Sequence, residues 1–109
     1  MNVNVNGHII RSGLPTVNVV TSTPYTVDAY AGYVVLLVDC TSSNIQVRLQ
    51  LAANNTDCFV IKKIDSNYTR SLTIVPQTGE TIDGSSSAVI RVQYSSLTLV
   101  SDGTNWHII

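Results

Sequence analysis

Two histidines, two cysteines and seven acidic residues are the groups this 109-residue sequence offers for acid–base, thiol or metal chemistry. His8 and His107 stand near opposite ends of the sequence. Neither sits in an H-E-x-x-H or C-x-x-C setting, the spacings that gather ligands around zinc. The acidic residues are scattered singly, so the carboxylate pair of a glycosidase would have to be assembled by the fold. Asp83 and Asp102 each precede a glycine, which is the ordinary place of Asp in a turn. No G-x-S-x-G elbow and no phosphate-cradling glycine loop occurs. The expectation is a protein that is not an enzyme and holds no cofactor or metal.

Cys40 and Cys58 lie in strand-like contexts and read as small buried hydrophobes, although an oxidising compartment would allow a disulfide. The candidates for contact with another molecule are Trp106, His107, Tyr68, Asn54 and Asn55. In Trp106-His107-Ile108-Ile109, alternation puts Trp106 and Ile108 on one face and His107 and Ile109 on the other. His107 then faces the surface or a subunit contact. Trp106 reads as a core or interface filler, with a sugar platform as the rival role, because an amphipathic ring beside a turn serves either. Asn54-Asn55-Thr56 and Asn67-Tyr68-Thr69 match the N-glycosylation acceptor pattern, which arises easily in a chain rich in Asn, Ser and Thr.

Charged residues make up 12% of the chain, about half the usual share. With a net charge of −1, the chain as a whole offers no cation field for phosphates, so neither nucleic acid nor an anionic membrane is an expected partner. The longest apolar run, Tyr33 to Val38, is far short of the roughly 18–20 residues that span a bilayer, so no membrane insertion is expected. Met1 to Asn6 has neither a basic nor an apolar stretch, so no signal peptide is expected and the chain is expected to start in the cytosol of whatever cell makes it.

The elements that must position these residues are strands. Ile45 to Leu51 alternates apolar and polar residues without a break, the pattern of a half-buried antiparallel strand. Tyr33 to Val38 is continuously apolar and suits a central strand covered on both faces. Cys58 to Ile64 is another strand, whose Lys62-Lys63 pair suggests an end that reaches solvent. Leu72 to Val75 stops at Pro76. Ala88 to Val92 follows a serine-rich stretch, and Leu97 to Val100 with Trp106 to Ile109 flanks the Asp102-Gly103 turn as a hairpin. No helical periodicity survives inspection. The fold class expected is all-β, a small antiparallel β-sandwich of jelly-roll type over residues 24–109. Residues 1–23 read as an N-terminal arm or edge strand. In that segment Asn2, Asn4 and Asn6 alternate with Val3 and Val5, giving edge hydrogen bonds but little apolar anchorage.

Phe59-Val60-Ile61-Lys62-Lys63, Gly79-Glu80-Thr81-Ile82-Asp83-Gly84, Tyr94-Ser95-Ser96 and Asp102-Gly103-Thr104-Asn105-Trp106-His107-Ile108-Ile109 occur in one order. Together with Tyr25-Thr26-Val27, Tyr33 to Asp39, Ile45-Gln46-Val47 and Leu72-Thr73-Ile74, they resemble the distal β-sandwich module of bacteriophage tail fibres and related virion appendage proteins. The resemblance covers residues 24–109, and its two glycine motifs at their spacing are the most specific part. It departs at Leu49 to Ala52 and Thr56 to Cys58, where that family commonly has Leu-Pro and Gly. The resemblance implies a homotrimer and a non-enzymatic virion structural protein, either a receptor-binding fibre tip or a head-decoration module. Its partners would be other virion proteins reached through the arm, and a host surface glycan or receptor. The rival expectation is a carbohydrate-binding module of cellular origin, with Trp106 and the tyrosines as stacking platforms.

Overall fold

The computed structural model describes residues 3–5, 8–10, 16–27, 33–54 and 58–109. At the N-terminus β1 (Val3–Val5) and β2 (His8–Ile10) pair antiparallel, Val3 opposite Ile10. Next come β3 (Thr16–Val20), β4 (Tyr25–Thr26), β5 (Tyr33–Val38) and β6 (Ile45–Arg48). A 3-10 turn at Ala52–Asn54 precedes β7 (Cys58–Lys63) and β8 (Leu72–Val75). The chain closes with β9 (Ala88–Ile90), β10 (Ser96–Ser101) and β11 (Trp106–Ile108). Among the described residues there is no α-helix.

Two mixed sheets enclose the core. One has five strands in the order β11-β10-β7-β5-β3, the other four in the order β4-β6-β8-β9. From β3 to β8 successive strands alternate between the two sheets, so every second strand returns to the same sheet running in the same direction. The ladders β3–β5, β5–β7, β4–β6 and β6–β8 are therefore parallel. This corrects the expectation of an antiparallel sandwich, and of a jelly roll, whose neighbouring strands are antiparallel. A parallel pair needs a crossover, and here the crossover is a strand of the opposite sheet. Only β8–β9, β7–β10 and β10–β11 restore antiparallel pairing in these sheets.

Alternation puts one side of the strands of these two sheets into a common core. Val34, Phe59, Leu99 and Ile108 form one row across the five-stranded sheet, and Ile45, Leu72 and Ile90 form one across the other. Ile108 of the first row is half-buried; the others are buried and belong to one cluster with Leu36, Ile61, Val47, Ile74, Ile82 and Trp106. Each large side chain so buried contributes about 1.5–3 kcal/mol.

Three local expectations change. Tyr33–Val38 is internal to its sheet but covered on one face only: Val34, Leu36 and Val38 are buried while Tyr33 is 41% exposed. The Ile45 strand ends at Arg48, and Leu51 is exposed beside the 3-10 turn. Lys63 does not reach solvent, because it is in phase with Phe59 and Ile61 and lies wholly in the interior.

The interval 1–23 holds two kinds of structure. Thr16–Val20 is the edge strand of the five-stranded sheet and sends Val20 into the core. Val3–Val5 instead pairs with His8–Ile10. Asn2 and Asn6 lie outside the described residues.

Candidate functional site

The closing strand and the two Asp-Gly turns form one hydrogen-bonded unit. At Ile82–Ser85 the chain reverses through Asp83 and Gly84, both at positive φ (49° and 81°), and Ile82 and Ser85 exchange both backbone hydrogen bonds. Two successive left-handed residues are what a tight hairpin of the mirror-image type requires, and Asp-Gly supplies them with little strain. The second turn is held by Asp102 N–H donating to Asn105 O at 3.0 Å. Asp102 Oδ1 accepts from the N–H groups of Thr104 and Asn105, both at 2.8 Å.

The turns meet along β11. Trp106 N–H donates to Thr81 O at 2.9 Å, and Asp83 N–H donates to Trp106 O at 3.0 Å. Asn105 Oδ1 accepts from Thr81 N–H, and Asp83 Oδ1 from Ile108 N–H. The outer edge of β11 is thereby occupied by residues 81–83. The Trp106 indole packs on Phe59 with ring centroids 5.5 Å apart and donates to Gln50 O at 3.2 Å. Its exposure is 0%, so Trp106 offers no ring face to a sugar or a partner, which corrects its place among the surface contacts.

His107 projects the other way and lies between two carboxylates. Its Nε2 is 2.6 Å from Asp102 Oδ2 and its Nδ1 3.6 Å from Asp83 Oδ1. The Asn105 N–H, the His107 ring and the Thr104 N–H hold the Asp102 carboxyl down at about 2. All three groups are about half exposed, so water competes for each contact while the arrangement ties the two turns together.

The remaining sequence candidates do not converge here. Tyr68 is 73% exposed in the turn after β7. That is the Lys63 end of the strand, whereas His107 lies beside Val100, opposite Cys58 at the other end. Asn54 ends the 3-10 turn, with its side chain outside the described residues, as is all of Asn55. Cys40 and Cys58 are both free. Burial pushes both thiols up, with Asp65 adding to the effect at Cys40. Neither is therefore a ready nucleophile. Among the described residues no cluster of three or more His, Cys, Asp or Glu side chains is placed to hold a metal ion.

A buried ion pair went unread in the sequence. Lys63 Nζ donates to Asp65 Oδ2 at 2.7 Å and to Asn67 O at 2.9 Å, with Asp65 O at 3.4 Å. Asp65 also accepts the N–H groups of Cys40 and Asn67. Burial alone would raise the Asp65 carboxyl, but the hydrogen bonds from Lys63, Cys40 and Asn67 outweigh it and leave the group below its ordinary value. The signal was available in the phase of Phe59, Ile61 and Lys63, which aims the lysine inward and demands a nearby anion. The pair fastens the turn after β7 to the end of β5 and is structural. Comparisons with family models and with curated proteins found no match to this chain.

Proposed function

We propose that this protein is a non-enzymatic structural module of a phage-like virion, a fibre tip or head-decoration protein that works as a homotrimer. What carries the reading is the union of the two glycine motifs. The segments on which the resemblance chiefly rests, 79–84 and 102–109, are far apart in sequence yet bonded to each other through Thr81, Asp83, Asn105 and Trp106. A resemblance whose parts meet in one unit is stronger than the same motifs scattered. The unit also holds β11 in the sheet through residues 81–83. In this reading the N-terminal segment contacts other virion proteins, and an exposed face meets a host glycan or receptor.

The carbohydrate-binding alternative loses its main support, because the lone tryptophan is in the core. Mass spectrometry of gradient-purified particles from the producing cells tests the proposal. The chain should be recovered in the particles at a copy number that is a multiple of three. Recovery only in the particle-free lysate would contradict it.

A further inference from the structure

The two sheets differ on the sides they turn away from the core. Across the four-stranded sheet the outward rows run Thr26, Arg48 and Val75, and Gln46, Thr73 and Val89, four polar positions against two valines, of which Val89 is exposed. Across the five-stranded sheet one outward row runs Val17, Val35, Val60 and Thr98. The next runs Val19, Leu37, Lys62 and Ser96. Val17 is 53% and Val19 62% exposed. No described outward position of this sheet is acidic, and the ammonium of Lys62 sits 5.3 Å from the centre of the Tyr94 ring.

Strands β3, β5 and β7 are parallel to one another, and parallel strands are normally covered on both faces. The continuous run Tyr33 to Val38 has the composition of a doubly covered strand, yet on its outward side Tyr33 is exposed and Val35 and Leu37 are only half-buried. The edges differ in the same sense. β11 is bonded along its outer side to residues 81–83, while β3 has no strand partner but β5 among the described residues. An open edge next to an apolar face is a docking surface unless something blunts it.

We propose that the outward face of the five-stranded sheet, with the β3 edge beside it, is the surface on which a second copy of this chain packs; this rests on the self-assembling reading above. Charge selects the occupant. The carboxylates on this face, Asp83 and Asp102, flank His107 at its β11 border, so the half beside β3 holds only Lys62 as a charge and its uncharged β-branched ridge is complementary to another like it. The chain presents such a ridge on this face. Area brings in the edge. Five strands about 4.8 Å apart and five residues high at about 3.3 Å each cover roughly 400 Å². A standard interface buries about 800 Å² per partner, so this face supplies about half of one and the open β3 edge beside it supplies backbone pairing as well.

The test compares three purified proteins by light scattering at micromolar concentration: wild type, Val17→Lys/Val19→Lys, and Thr73→Lys on the opposite sheet. Both valines are already exposed, so the lysines leave the isolated fold intact, which circular dichroism verifies. Wild type and Thr73→Lys should share one multi-chain mass, with the double-lysine protein reduced to a single chain. A double-lysine protein that keeps the multi-chain mass, or a Thr73→Lys protein that also dissociates, overturns the assignment of the face and leaves self-assembly standing. A single-chain wild type overturns both. If the double-lysine protein fails to fold, amide exchange of β3 in the wild type decides: it should accelerate on dilution, and exchange independent of concentration overturns the assignment.

Discussion

Lys63 sets the residue-scale chemistry of this molecule. A buried ammonium is tolerated only when its donors are satisfied, and here they reach Asp65 and the Asn67 carbonyl. Removing one member strands the other. Lys63→Met should cost about 3 kcal/mol, and Asp65→Ala more, about 4–5 kcal/mol, because the latter also orphans the Cys40 and Asn67 N–H groups. Urea unfolding of both variants measures the difference, and the reverse ranking would mean that the carboxylate matters only as the lysine's partner. The same carboxyl predicts acid behaviour. A group whose folded value is depressed contributes stability above its unfolded value and loses it as pH falls through the folded one. Asp65 is held below 3.8, and Asp102 at about 2. The melting temperature should therefore be level from about pH 5 to 7 and fall steeply below about pH 4. Asp65→Asn should be less stable at neutral pH and show a shallower acid limb.

At the scale of elements, alternation makes the strands legible and leaves their pairing open. Tyr33–Val38 and Leu72–Val75 have the bounds their apolar runs announce, and the Asp-Gly turns sit where their φ demands put them. The parallel ladders were not legible, because period-two alternation is identical in parallel and antiparallel strands. The six residues between Val38 and Ile45 cross to the opposite sheet instead of folding back as a hairpin. The buried phase of Lys63 was visible, but its partner lies beyond the strand in a turn that alternation does not reach. For the closing unit the bonded neighbours are about two dozen positions apart, and no local pattern announces that contact. At the N-terminus, alternating Asn and Val did not separate the β1–β2 hairpin from β3. Deletion separates them. Loss of residues 1–15 should leave the melting temperature within a few degrees. Extending the deletion through Val20 removes a core side chain and the β5 ladder, and should lower it by roughly 10 °C or more. Equal effects of the two deletions would mean that β3 adds nothing to the sheet.

For the whole molecule, two sheets share one core but present unequal outer surfaces, one mainly polar and one mainly apolar. With 12% charged residues the chain has little to keep the apolar side dispersed in water, and like surfaces meeting would remove it from solvent. The proposed role in a multi-copy particle and the exposed valines of the five-stranded sheet make the same demand, that the chain assemble with copies of itself. Sedimentation equilibrium of the wild-type protein at micromolar concentration tests that demand most directly. The account predicts the mass of three chains, unchanged on moderate dilution, and a single species of 11.8 kDa would contradict it.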